Sequence, residues 1–342
     1  MQQTINSEAV SIAKGLGIIL MAIGHAGCPE WMFYFIYLFH MPLFFWLSGY
    51  CFKEKYLDDK QTFVKHRLKG LYVPIVKYNL IFIVLHNLLY TLKIYKETYT
   101  FNDIIDRVLN VFTLSYLEIN LNQYWFLRYL LLSSLIFLLL RYVSRKRPEL
   151  IKYGFFLIPL IAIVSNHYQI SQLISTVMLL SFFFYIAGYL AKSTPINTRL
   201  WVIIGGFIVV AVASIFIHSL MLRMKTADIL PYCLFALIGI YATYALSIRI
   251  STNETWFKKM LVYIGNHTMV ILTWHFLLYD FINLFYLKFI LCSDFSSVEE
   301  ESLHQQLGGL HFLVYSVLGI TIPLLLQWLF SKKNIKQWLH IR

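Results

Sequence analysis

Charged residues are scarce in this sequence. Asp, Glu, Lys and Arg make up only 13% of its 342 residues, whereas 59% are hydrophobic and the mean hydropathy is +0.65. Ordinary soluble domains have a charged share of about 25%. The composition therefore excludes a soluble protein and indicates a chain whose solvent is the lipid bilayer.

Common catalytic motifs are absent as well. The sequence contains no GxxxxGK[ST], GxSxG or HExxH pattern, which leaves ATP hydrolysis and the commonest hydrolase types without support. The four cysteines lie far apart, with no CxxC pair and no Cys/His spacing suited to zinc, so we expect neither a metal nor a disulfide framework. A bridge between Cys28 and Cys292 stays open if both face an oxidising side.

Ten apolar stretches are present, each close to the length of about 20 residues that crosses a bilayer. Inner loops and the C-terminal tail would carry 20 Lys and Arg residues, against six in the outer loops, if the N-terminus is cytoplasmic. This bias places both termini in the cytoplasm and accounts for the net charge of +12 without a nucleic-acid partner. We therefore predict an all-α, polytopic membrane protein with one domain over residues 1–342. The predicted spans are 9–27, 31–52, 71–90, 121–141, 150–167, 171–191, 200–220, 229–249, 260–281 and 309–330.

Two outer segments are not predicted to span the membrane. Apolar residues recur at helical spacing between Phe101 and Phe112, which is typical of an amphipathic helix lying on the outer interface. The stretch from Asn283 to Gln306 is interpreted as a polar outer loop.

The ionisable residues within the spans are almost all basic or imidazole groups. A charge at bilayer depth costs at least about 2.5 kcal/mol, so each of these residues is a functional candidate. Carboxylates lie at span ends or in loops, which disfavours paired-carboxylate chemistry. The pattern suits an anionic ligand with imidazole for proton transfer. The candidates are Lys14, His25, His40, Lys77, His86, Arg128, His218 and His275.

Lys14 and His25 share one face of the first span. Eleven residues at about 100° each overshoot three turns by only about 20°, and they separate the two side chains by about 16 Å along the axis. A cation near the cytoplasm and an imidazole near the outer surface thus line one wall. The simpler alternative is that Lys14 snorkels to the inner interface and His25 only caps the outer end.

Other candidates have structural alternatives of the same kind. His40 and Ser48-Gly49 in span two suit a site or close helix packing. The basic loop with Lys65, Arg67 and Lys69 suits phosphate binding or topology and lipid headgroups. Arg128 in span four suits a site or contact with lipid headgroups, and His275 in span nine suits a site or helix packing.

Together these segments resemble the membrane acyltransferase-3 family over nearly the whole chain. Lys14-Gly15 to Gly24-His25 keeps the family's spacing of a basic residue and a histidine on the first helix, with Lys where Arg is commoner. Arg67 matches the first residue of the family's RxxR pattern, while Gly70 replaces the second. The other matching segments are Phe39-His40-Met41-Pro42-Leu43-Phe44-Phe45, Ser48-Gly49-Tyr50-Cys51-Phe52, Tyr124-Trp125-Phe126-Leu127 and His275.

The resemblance implies a bacterial inner-membrane enzyme that transfers an acyl group, usually acetyl, from cytoplasmic acyl-CoA to a hydroxyl of an extracytoplasmic glycan or lipid-linked saccharide. On this basis we expect His25 to be the general base and no metal to take part. Lys14, Lys65, Arg67 and Lys69 would bind the donor, and Arg128, His275, His40 and Ser48 are candidates for the acceptor or the oxyanion. Direct transfer and an acyl-histidine intermediate both stay open, and the oligomeric state is not predicted. The alternative is a transporter or flippase of a small or lipid-linked anion.

Overall fold

The computed structural model describes residues 6–170, 174–289 and 309–331. This part of the chain is built from helices, without a β-strand. The helices are α1 (Ser7–His25), α2 (Glu30–Tyr50), α3 (Lys60–Arg67), α4 (Val73–Thr91), α5 (Phe101–Phe112), α6 (Trp125–Val143), α7 (Leu150–His167), α8 (Thr176–Leu190), α9 (Leu200–Ser214), α10 (Ile229–Ser251), α11 (Trp256–Asn266), α12 (Thr268–Phe289) and α13 (His311–Ser331).

Nine helical segments in the described ranges are long and apolar enough to cross a bilayer. A tenth, α9, is apolar but has only 15 residues, and it coincides with the predicted span 200–220. The prediction of an all-α polytopic membrane protein is confirmed.

The predicted bounds were wrong at span nine. The chain forms a short amphipathic helix, α11, and then starts a new helix at Thr268. The spanning helix therefore lies about two turns later than the predicted 260–281. It continues to Phe289, so Asn283 is a buried helical residue and not part of an outer loop.

The amphipathic helix α5 has the predicted bounds, and one side of it packs on α4. On this side Val111 joins Val76 and Ile83 of α4 in one buried cluster. The hydroxyl of Tyr72, just before α4, donates to the carbonyl of Phe112 at the end of α5. Its other apolar residues stay exposed, as a helix lying on the outer interface requires, so that placement stays a prediction. They are Phe101, Ile105, Leu109 and Phe112.

Two pairs of glycines determine how closely the central helices approach. A Cβ atom at Gly49 would overlap the carbonyl of Tyr185, and one at Gly188 would overlap that of Trp46, so α2 and α8 cross with their backbones in contact. Gly15 and Gly265 do the same for α1 and α11. Small residues at such crossings replace the missing hydrophobic driving force by close packing. Gly49 thus has a packing role, whereas its neighbour Ser48 lines a cavity.

Candidate functional site

A cavity of about 280 Å³ lies between α1, α2, α6 and α12. Apolar side chains form most of its wall, and Lys14, Arg67, Ser48, Cys51 and Thr268 are its polar or reactive lining residues. The full lining is Val10, Lys14, Ile18, Met21, Met41, Phe44, Leu47, Ser48, Cys51, Arg67, Leu71, Phe126, Leu127, Leu130, Thr268, Met269 and Leu272.

The wall formed by α1 is the face predicted from the sequence. Lys14, Ile18 and Met21 follow one another at intervals of four and three residues and all line the cavity. His25 is the next residue of this series, one turn beyond Met21. The helical period therefore connects the cavity with an imidazole at the outer end of α1.

The inner end of the cavity is cationic. Lys14 and Arg67 both line it, and in the described part of the chain neither has a carboxylate within ion-pair distance. The Arg67 guanidinium contacts the Tyr185 hydroxyl, with an N–O distance of 3.4 Å, and lies over the ring of Phe63. Unpaired cations in a cavity favour an anionic ligand.

Lys192 strengthens this end of the site and was not predicted. Its ammonium group donates to the carbonyl of Phe52, next to Cys51, and lies 5.0 Å from the centre of the Tyr189 ring. The sequence places Lys192 among the Lys and Arg residues of the inner loops. The close α2–α8 crossing brings it to the end of α2, and no pattern within a single helix predicts that contact.

Three histidines from three helices form the outer end of the site; we call His25, His40 and His275 the imidazole cluster. The rings of His25 and His275 have centroids 5.5 Å apart, and His40 lies 4.7 Å from the ring of Tyr37, which itself contacts His25. His40 and His275 are fully buried, whereas His25 is half-buried. Helical spacing and the resemblance indicated these three histidines as separate candidates, but they did not predict that the rings lie close together.

Tyr37 orients His25. Its hydroxyl oxygen lies 3.2 Å from Nδ1 of the imidazole. The tyrosine ring packs so closely on α1 that a Cβ atom at Gly24 would lie 2.7 Å from its Cε2 atom. The sequence has no carboxylate at helical spacing from His25 that would orient its ring. Tyr37 was not predicted because it lies on a different helix.

A thin apolar layer separates the cavity from the imidazole cluster. Met21, Met41 and Leu272 line the cavity and are 9% exposed or less. Met21 and Leu272 lie about one turn before His25 and His275, and Met41 follows His40 directly. Methionine side chains adapt easily to a new neighbour, and two of the three residues of this layer are methionines.

Three predicted site residues lie elsewhere. Lys65 and Lys69 are exposed and are not lining residues of the cavity. The Arg128 guanidinium donates to the carbonyl of Leu114, at 3.0 Å, and contacts the hydroxyl of Tyr129. Arg128 thus ties α6 to the segment after α5, while its neighbour Leu127 faces the cavity.

A second buried polar group was missed. Glu118 is fully buried and accepts hydrogen bonds from Tyr99 and Tyr116, and one of its oxygens lies 2.5 Å from Nδ1 of His86. Glu118 lies in the loop between α5 and α6, where the sequence predicts it, but its burial there was not predicted. This group anchors the segment after α5 to α4.

The remaining predictions concern metal ions and disulfide bonds. Within the described ranges, no set of His, Cys, Asp and Glu side chains is arranged to hold a metal ion. Cys28, Cys51 and Cys233 are free thiols, and Cys292 lies outside the described residues.

Comparison with protein families identifies the family of this chain. No curated protein and no solved structure matches the sequence. The acyltransferase family described as "Acyltransferase domain" matches residues 8–328, which is nearly the whole chain. The chain therefore belongs to the membrane acyltransferase-3 family.

Proposed function

We propose that this acyltransferase moves an acetyl group from cytoplasmic acetyl-CoA to a hydroxyl of an extracytoplasmic carbohydrate, in the inner membrane of a bacterium. The observation that carries the proposal is the cavity itself. It begins at two unpaired cations and ends at the apolar layer beneath the imidazole cluster. A long, anionic donor with a reactive end fits this order of groups.

The donor's phosphates would bind at the cationic end. Lys14 and Arg67 supply charge-assisted hydrogen bonds inside the cavity, and Lys192 lies at the neighbouring Phe52 carbonyl. Lys65 and Lys69 are exposed on the same basic segment and would attract the donor toward the entrance. The pantetheine arm would then extend past Ile18 to Met21, displace the flexible methionine side chains and bring the thioester to His25.

His25 would act as the general base. When Nδ1–H donates to the Tyr37 oxygen, the lone pair on Nε2 is free to accept a proton. The sugar hydroxyl gives its proton to Nε2 while its oxygen forms a bond to the acyl carbon. The carbon–sulfur bond then breaks, and the CoA thiolate leaves and takes the proton from the imidazolium. No external oxidant or cofactor is needed.

The decisive experiment combines donor binding with analysis of the product. Acetyl-CoA should raise the melting temperature of the purified protein in detergent, because a ligand stabilises the state that binds it. Mass spectrometry should find acetyl groups on the surface glycan of cells with the protein and not on that of cells lacking it. A protein without affinity for acetyl-CoA would be better described as a transporter.

Direct transfer is distinguished from an acyl-histidine intermediate by a second measurement. The protein is mixed with radiolabelled acetyl-CoA in the absence of any acceptor and then denatured. Direct transfer predicts no label on the protein, whereas label retained by the wild type and lost in His25→Ala would establish the two-step route.

A further inference from the structure

Two members of the imidazole cluster have a defined protonation pattern. Nδ1 of His40 lies 2.8 Å from the carbonyl oxygen of Ile36, and Nδ1 of His275 lies 3.0 Å from that of Ile271. A carbonyl oxygen only accepts hydrogen bonds, so Nδ1 carries the hydrogen in both rings. Both side chains are fully buried, with no carboxylate within ion-pair distance in the described ranges. Each ring is therefore neutral, and its Nε2 atom has an unshared lone pair.

These two Nε2 atoms have no hydrogen-bond partner among the described residues. In each ring Nδ1 faces the backbone of its own helix, so Nε2 points away from that helix. Buried polar atoms in proteins are almost always paired, which makes two unpaired acceptors within one cluster a functional signal. The ligand that satisfies them has to be a hydrogen-bond donor.

This chemistry excludes one of the two roles expected for these residues. Stabilising an oxyanion requires N–H or O–H groups aimed at the developing negative charge. A bare Nε2 atom has no hydrogen to donate and would repel that charge. Hydroxyl groups, by contrast, donate readily to imidazole nitrogen.

We propose that His40 and His275 bind two hydroxyl groups of the acceptor through Nε2, next to the hydroxyl that His25 deprotonates. This inference rests on the proposed function and makes its acceptor more specific. The residues come from α2 and α12 and flank His25 of α1, so the preferred acceptor is a polyol with neighbouring hydroxyls, as in a sugar ring. Binding by two acceptor atoms selects against sugars that lack either hydroxyl, because a buried lone pair then stays unpaired.

The test measures steady-state kinetics with the protein in detergent. The acceptor is surface polysaccharide isolated from cells that lack the protein, and the donor is radiolabelled acetyl-CoA. His40→Phe and His275→Phe should each raise the apparent KM for polysaccharide by about tenfold, the effect of one lost hydrogen bond. The KM for acetyl-CoA should stay within about twofold. His40→Gln and His275→Gln, which retain an acceptor oxygen, should restore part of the affinity.

His218→Phe is the matched control. His218 is exposed and stacks on Tyr34, outside the cluster, so this variant should behave like the wild type. An unchanged polysaccharide KM in both cluster Phe variants would overturn the inference and leave the proposed function intact, with water as the only partner of these atoms. A fall in kcat at constant KM would also contradict it. Absence of any transfer by the wild type would instead overturn the proposed function itself.

A second measurement does not depend on how the variants fold. Periodate cleaves neighbouring hydroxyl pairs, and borohydride then converts the products to isolated alcohols. The wild type should lose transfer to polysaccharide treated in this way, while its melting-temperature shift with acetyl-CoA is unchanged. Undiminished transfer to the treated polysaccharide would overturn the requirement for adjacent hydroxyls.

Discussion

The two ends of the site differ in charge and in packing. At the inner end, Lys14 and Arg67 border an open cavity without carboxylate partners in the described ranges. At the outer end, neutral imidazoles pack against one another and against aromatic rings. An open cationic end suits a large anionic ligand that binds by charge, whereas a closed neutral end suits selection by hydrogen bonds. Variants at the two ends should therefore fail in different ways.

The largest expected effect is at the outer end. His25→Ala removes the proposed general base and should lower kcat by about 10²- to 10⁴-fold, while the melting-temperature shift with acetyl-CoA persists. Transfer of radiolabel from acetyl-CoA to polysaccharide is the measurement. His167→Ala, an exposed histidine at the end of α7, is the control. Turnover close to normal in His25→Ala would eliminate this residue as the base.

The next effect is at the inner end and should appear in donor binding. Lys14→Met removes one charge-assisted contact, worth about 1.5–3 kcal/mol, and should raise the KM for acetyl-CoA by about 10- to 100-fold. The KM for polysaccharide should change little. Lys14→Arg retains the charge and should retain most of the affinity.

Lys77→Met is the matched control for Lys14→Met. Lys77 lies within α4 but is exposed and does not line the cavity, so its substitution should leave both KM values unaltered. If Lys14→Met bound acetyl-CoA as tightly as the wild type, the cation at the inner end would have only a topological role.

A smaller effect is expected from the group that orients the base. Tyr37→Phe retains the ring that packs on Gly24 and removes only the hydroxyl near His25. Loss of one neutral hydrogen bond, about 1 kcal/mol, should lower kcat up to about tenfold and leave the acetyl-CoA KM unchanged. Equal losses in kcat and donor affinity would indicate a general packing defect instead.

Features of the fold and site that depend on a single helix could be predicted from the sequence. Span positions followed from hydropathy, and the α1 wall followed from the helical period that joins Lys14 to His25. Both properties are local, because each depends on residues within one helix. The start of span nine was wrong because α11 is apolar enough to look like part of a span, and the break at Asn266 and His267 is a weak signal.

Contacts between helices could not be predicted from patterns within single helices. Tyr37 meets His25, and Lys192 meets the Phe52 carbonyl, only through tertiary packing. The amphipathic pattern of α5 fits a lipid surface and a protein surface equally well, since either one covers an apolar face. The packing of α5 on α4 was therefore open until the helices were placed together.

The smallest effect requires no catalytic activity, and it tests the inner end alone. Cys51 is half-buried and lines the cavity near Lys14, whereas Cys233 is buried outside it. In a variant whose only cysteine is Cys51, acetyl-CoA should slow alkylation by a maleimide, because the bound donor covers the thiol. A variant that retains only Cys28, near the outer end of α1, should show no protection. If acetyl-CoA left the labelling rate of Cys51 unchanged at concentrations that raise the melting temperature, the donor would bind elsewhere. The contrast between a cationic donor end and a neutral acceptor end would then no longer describe the site.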